Sequence, residues 1–187
     1  MSDVEVLALE IKQCIGQDQI TLIPRIYGQS AKTEIQKGKS RPGRTWDEPS
    51  FLKELGEKAG PEEVATAVKI LEWARSRNLR LWWGKGAEQG SCYLQLDHSD
   101  VVHYTVALWT SNRVEVEFYY LAKRSVYSLE KRNDLRLKLN QIPDVNLGED
   151  AIERLPSFPI TKLNNDQSLK IFFDAWDEYI NETRHSL

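Results

Sequence analysis

Apolar residues near the start of the chain recur at helical spacing. Val4, Leu7, Ala8, Ile11, Cys14 and Ile15 form one stripe, which predicts an N-terminal amphipathic helix over residues 3–15. A short apolar strand follows in ITLIPRIY, residues 20–27. From Thr45, TWDEPSF reads as a turn entering a short helix, FLKELGEK, which Gly60-Pro61 stops. Pro61 suits the first position of the next helix, with Glu62 and Glu63 in its positive first turn. That helix runs to about Arg77 and carries Val64, Ala67, Val68, Leu71 and Ala74, widened by Ile70 and Trp73. This is more apolar surface than an exposed helix needs, so most of it should be covered.

From Leu79 the period changes to two, and four alternating runs follow: LRLWW, SCYLQL, VVHYTVALW and RVEVEFYYL. Short polar links make an antiparallel meander the simplest connection. In the fourth run Val114, Val116, Phe118 and Tyr120 share one face, while Arg113, Glu115, Glu117 and Tyr119 share the other. One face of the sheet should therefore be wet or functional, and the other should pack on helices. Both sets of the third run, Val102/Tyr104/Val106/Leu108 and Val101/Thr105/Ala107/Trp109, are largely apolar, as a central strand requires. Helical spacing returns at Leu135, Leu139 and Ile142, ended by Pro143. The link DVNLGEDAIERLPSFPITKL should cross the surface in extended or single-turn form. A last helix over 167–182 presents Leu169, Phe172, Phe173, Trp176 and Ile180. The expected fold is α+β, a four-stranded antiparallel meander with helices packed on one face, over 45–187. Residues 1–44 precede it as an N-terminal helix, short strand and basic loop.

A chain of 187 residues, 41% hydrophobic and 28% charged, has the usage of an ordinary globular domain and excludes wholesale disorder. Without a long apolar run or a lysine-bearing leader, it is expected in the cytoplasm, away from membranes. Cys14 and Cys92 stand alone, outside any metal or disulfide spacing. The net charge of −3 is unevenly spread. Residues 28–45 hold Lys32, Lys37, Lys39, Arg41 and Arg44 against Glu34 alone, a balance of +4 that leaves −7 for the rest. Such a loop meets phosphates by point charge and counterion release, or serves as a solvated linker. The acids of 166–182 form a face that could dock it.

The hairpin WWGKGAEQGS offers Gly84, Gly86, Gly90 and Lys85 to an anion, although the GxxxxGK[ST] order of a P-loop is absent. Glycines reaching positive φ in a tight turn would give the same sequence. Of six tryptophans, Trp73, Trp109 and Trp176 fall on apolar stripes and read as core. Trp82 shares with Arg80 the face opposite Leu81 and Trp83, and Trp46, two residues after Arg44, is a second candidate for an exposed ring. No histidine pair or nucleophile elbow is present. Glu115 and Glu117, near Asp97 and Asp100, raise a Mg²⁺-dependent nuclease, but lack the lysine of an acid-x-lysine triplet and read as solvated.

Taken as a set, TWDEPSF, WWGKGAEQGS, WTSNRVEVEF, LRLKLNQIP, PSFPITKL and DAWDEYI resemble an uncharacterised bacterial domain family with a Trp-Gly-Lys-Gly hairpin. That family is found alone or beside nuclease and restriction-type modules. The resemblance covers about 45–187 and implies no activity, cofactor or metal. The leading expectation is a non-catalytic nucleic-acid-associated binding module, an accessory in bacterial nuclease or defence systems. Arg80, Trp82 and Lys85 at the hairpin, with Lys32, Lys37, Lys39, Arg41 and Arg44 as an arm, would make the contacts. The alternative is an acidic protein-interaction or adaptor domain, including a homodimer through the N-terminal helix, which a pI of about 5.7 suits. A third is a nuclease-like hydrolase whose site the sequence does not disclose.

Overall fold

The computed structural model describes residues 8–15, 20–27 and 44–185, and the chain divides into two compact units, Met1–Pro42 and Gly43–Leu187. In the first unit β1 (Ala8–Ile15) pairs antiparallel with β2 (Ile20–Tyr27), setting Leu9 opposite Ile26 and Glu10 opposite Arg25. The helix expected over 3–15 is therefore a strand across 8–15, and the homodimer route through it loses its element. The segment satisfies both periods, because Leu9, Ile11 and Ile15 also alternate with Glu10, Lys12 and Cys14. The strand that begins five residues on, Ile20–Tyr27, supplies the backbone partners that decide between them.

The second unit opens with α1 (Glu48–Lys58), capped reciprocally by Asp47 and Ser50: the Ser50 amide donates to Asp47 Oδ1 at 2.9 Å, and the Asp47 amide donates to Ser50 Oγ at 3.1 Å. The Ser50 hydroxyl and then the Ser50 amide, both donating to it, hold the Asp47 carboxyl below its ordinary pKa. Gly60, at φ 124°, separates α1 from α2 (Pro61–Ser76). Asn78, left-handed at φ 53°, closes α2: its amide donates to the Arg75 carbonyl and that of Leu79 to the Ala74 carbonyl, both at 2.9 Å.

The sheet is antiparallel, in the order β3 (Arg80–Trp83), β4 (Ser91–His98), β5 (Val101–Trp109), β6 (Arg113–Val116) and β7 (Ser157–Pro159). The class is α+β as expected, with five strands where the alternation gave four. The fifth comes from the link expected to cross the surface. Phe158 sits opposite Val114 and is buried, as are Ile160 and Leu163 beyond it. Pro156 and Pro159 fit because β7 is an edge strand. The fourth run also stops early: β6 ends at Val116, and Phe118–Leu121 turn into a one-turn helix, α3. Tyr120, expected on the face of Val114 and Val116, is therefore exposed and lies against Tyr104 instead.

Cys92, Leu94, Leu96, Val106, Leu108, Val114 and Val116 form the buried sheet face. Helix α2 lies against β3, and α5 (Asp166–His185) lies against β4. Phe51, Ile70, Leu71, Phe172, Trp176 and Ile180 fill the space between. Trp73 and Arg77 both donate to Asp177, tying α2 to α5. Helix α4 (Leu129–Leu139) packs on α5 and carries the buried Arg132 and Arg136, which donate to the Ile152 and Leu147 carbonyls at 2.6 and 2.8 Å. The acids of α5 are already partnered within this unit, by Lys69, Lys170, Arg77, Lys138 and Lys131. They do not form the free face expected to receive a basic loop. Among the described residues no helix is long and apolar enough to cross a membrane.

Trp176 is fully buried between α5 and the sheet. Trp176→Ala should cost about 3–5 kcal/mol in transfer and cavity terms. Denaturant unfolding measures the loss, and a change below about 1 kcal/mol would show that the ring is not a core element.

Candidate functional site

The glycine hairpin between β3 and β4 is built around Trp46, which is 2% exposed. Its Nε1 donates to the Gly86 carbonyl at 2.8 Å and its amide to that of Gly84 at 3.2 Å. A Cβ on Gly90 would stand 2.7 Å from the Trp46 ring and 2.8 Å from Thr110 Cγ2. None of the three hairpin glycines has positive φ. They provide room for Trp46 and for their own chain, where the sequence suggested either positive φ or close approach to a partner. Trp46 is therefore an internal anchor and not an exposed platform. Arg44 lies 4.2 Å above its ring and pairs with Glu54 at 3.5 Å. Lys85 is exposed in the loop. Lys32, Lys37, Lys39 and Arg41 lie outside the described residues.

The sheet face away from the helices carries a connected group of aromatic rings. Register aligns Trp82, Tyr93, Ala107, Glu115 and Ser157 across all five strands. At Leu94/Gln95 the pairing slips: Leu94 opposes Val106 while Gln95 opposes Tyr104, so Thr105 is an extra residue in β5. This bulge turns Tyr104 to the open face. Ring centroids then run from Trp82 to Tyr93 at 5.4 Å, Tyr93 to Tyr104 at 6.0 Å, Tyr104 to Tyr120 at 5.2 Å and Tyr120 to Tyr119 at 5.3 Å. Trp109 joins at 6.2 Å from Tyr93. It is only partly buried, not the core residue its apolar stripe suggested. Trp82, Tyr119 and Tyr120 remain 42, 44 and 40% exposed, enough for a flat ligand to reach them.

Cations rim this surface. Lys123 Nζ lies 3.8 Å from the Tyr119 centroid, and the Arg113 guanidinium lies 5.0 Å from that of Trp109. Arg80, on the same face as Trp82, forms two 2.8 Å hydrogen bonds to Asp97, whose carboxyl they hold below its ordinary range. Of the hairpin residues, Arg80 and Trp82 thus belong to the open face, whereas Lys85 belongs to the loop beyond it.

Two carboxyls stand on this side of the sheet. Glu115 accepts from Trp109 Nε1 at 3.2 Å. Glu117 is fully buried, its backbone amide bonded to the Thr105 carbonyl at 3.0 Å, and as a carboxylate neither of its oxygens has a donor. Burial, and then the neighbouring Glu115 charge, push the Glu117 carboxyl up to about 8. At neutral pH it keeps a proton, which it donates to Glu115. Burial and the same pair push the Tyr93 phenol up to about 12. The solvated state expected of Glu117 is thereby overturned. Among the described residues no group of three or more His, Cys, Asp or Glu side chains is placed to hold a metal ion.

No protein-family model matches the chain, and neither does any curated protein or solved structure. Sequence reading missed Tyr93, Tyr104, Tyr119, Tyr120, Lys123 and the open placement of Trp109. Tyr93 was accessible to it, since SCYLQLD places Ser91, Tyr93, Gln95 and Asp97 opposite Cys92, Leu94 and Leu96.

The unfolded chain releases the Glu117 proton near the ordinary value of 4.5, whereas the folded chain holds it to about 8. Between these values the native state binds more protons, so stability falls as pH rises, at a limiting slope of about 1.4 kcal/mol per pH unit. Glu117→Gln keeps the shape without the charge and should flatten this profile. Unfolding curves measured from about pH 5 to 8 that are identical for the two proteins would contradict the assignment.

Proposed function

We propose that this protein is a non-catalytic module that binds single-stranded nucleic acid, stacking unpaired bases on the open face of its sheet. The observation that carries this reading is the connected ring series Trp82, Tyr93, Tyr104, Tyr120 and Tyr119 on a face the main helices leave uncovered. Flat side chains on a sheet stack on bases without needing a particular sequence, because every base has a π-face. The rim cations supply the second requirement: Arg113 and Lys123 lie over rings, where they can also meet the sugar-phosphate chain. Arg80 is held by Asp97 and contributes orientation more than free charge. Lys85 and the arm residues Lys32, Lys37, Lys39, Arg41 and Arg44 enter as backbone contacts that raise affinity at low salt. A strand fits better than a duplex, whose stacked bases offer no face to the rings.

The test is the affinity of a short oligothymidine, with the matching duplex alongside. Trp82→Ala and Tyr104→Ala should each weaken strand binding by about 1–3 kcal/mol. Trp82→Ala, at an exposed site, should leave the melting temperature near the native value. Binding of the duplex in preference to the strand would contradict stacking. No binding of either would leave a protein partner as the better reading.

A further inference from the structure

Beyond the ring series, at the end of the sheet where β4 turns into β5, lies a cavity of about 530 Å³. Its polar wall is His98, Ser99, His103, Lys123, Arg124 and Ser125. Lys123 and Arg124 come from the segment leaving α3, so one chain reversal brings Tyr119 and Tyr120 onto the sheet and two cations to its end. Ser99 and Asp100, at φ 50 and 59°, make the tight left-handed turn that places His98 beside His103, their ring centroids 6.4 Å apart.

Two grooves between the helices of this unit are neutralised internally. Between α4 and α5, Lys138 is bound by Asp134 and Glu178, and Lys131 by Glu182. Between α2 and α5, Lys69, Arg77 and Lys170 each meet an aspartate. Around the turn, by contrast, neither Lys123 nor Arg124 has a carboxylate within ion-pair distance among the described residues. The nearby acids are Asp97, held at both oxygens by Arg80, and the exposed Asp100.

His103 adds a second, independent observation. The ring is 5% exposed and packs edge-on against Tyr127, with centroids 5.4 Å apart. It bonds to the His98 backbone, yet Nδ1 is buried without a partner. The nitrogen bonded to a carbonyl carries the N–H, so the neutral ring offers Nδ1 as an acceptor with no donor inside the protein. Two unneutralised cations select an anion, and Nδ1 selects one that can share a proton. A phosphodiester has no such proton. A phosphomonoester, with a second pKa near 6, does.

We infer that this cavity binds a terminal phosphate of the strand, between Lys123 and Arg124 and with one oxygen sharing a proton with His103 Nδ1. The inference rests on the reading of the open face as a strand-binding surface, because a chain stacked on Tyr104 and Tyr120 would deliver its end to Lys123. It adds an end preference that stacking alone does not supply.

Oligothymidines of one length carrying a 5′-phosphate, a 3′-phosphate or hydroxyls at both ends distinguish the sources of the group. One phosphorylated strand should bind about ten-fold more tightly than the hydroxyl strand, as charge-assisted hydrogen bonds require. Arg124→Gln, at an exposed site, should abolish that gain while leaving the hydroxyl strand's affinity unchanged. Inorganic phosphate, followed by the imidazole NMR signals of His98 and His103, gives a readout independent of strand binding, and Arg124→Gln should weaken it too. If all three strands bind equally and phosphate moves neither imidazole, the phosphate site is wrong and the stacking face stands. If phosphate moves the imidazoles but no strand binds, the site stands and the strand reading falls. If neither occurs, both fall.

Discussion

The extra residue in β5 is the constraint on which the rest of the second unit depends. Thr105 has no opposite number in β4, and its hydroxyl and its carbonyl are both used in the distortion. Its hydroxyl donates to the Leu94 carbonyl at 2.7 Å, and its own carbonyl accepts from the Glu117 amide at 3.0 Å. The first bond satisfies a ladder acceptor at the slip, and the second ends β6 and starts α3. Without the bulge, strict alternation would put Tyr104 with Val106 and Leu108 in the core. With it, Tyr104 lies between Tyr93 and Tyr120 on the open face. One inserted residue thus accounts for the continuity of the rings and for the place where Lys123 and Arg124 leave the sheet.

Legibility in the sequence follows the same divide. Elements set by local periodicity were readable: α2 and α5, and the strands from Arg80 to Val116, because their apolar residues fit one period. The 8–15 segment fits two periods, and only pairing with residues 20–27 selects between them. The edge strand at Ser157–Pro159 is too short and too proline-rich to carry an alternating signal, and it forms because β6 has a free edge. The site was partly legible. Arg80 and Trp82 follow from alternation on β3 and Trp109 from its alternation with Ala107 on β5, whereas Tyr104 depends on a bulge that no local pattern announces. Lys123, Arg124 and His103 meet through a hairpin and a one-turn helix, a convergence that spacing along the chain does not contain.

The buried Glu117 connects fold and face. Its amide is tied to the bulge, and its carboxyl sits protonated beside Glu115, which in turn holds the Trp109 indole. A protonated Glu117 beside Glu115 places polar groups beneath a ring surface without adding a full second negative charge to a face proposed to meet phosphates. Trp46 has the corresponding role at the hairpin: its buried ring and two backbone bonds fix the loop carrying Lys85. In both places a residue that sequence reading treated as exposed chemistry is internal support for the exposed residues nearby.

The tryptophan side chains report directly on whether the open face is where a ligand stacks. Trp82 and Trp109 lie on that face, while Trp46, Trp73, Trp83 and Trp176 lie among the core or packed against it. The most direct measurement is the indole N–H NMR spectrum of the full chain, titrated with single-stranded oligothymidine. The account predicts that the Trp82 and Trp109 signals move together with strand concentration while those of Trp46, Trp73 and Trp176 stay in place. Shifts confined to the core tryptophans, or no shift at saturating strand, would contradict it.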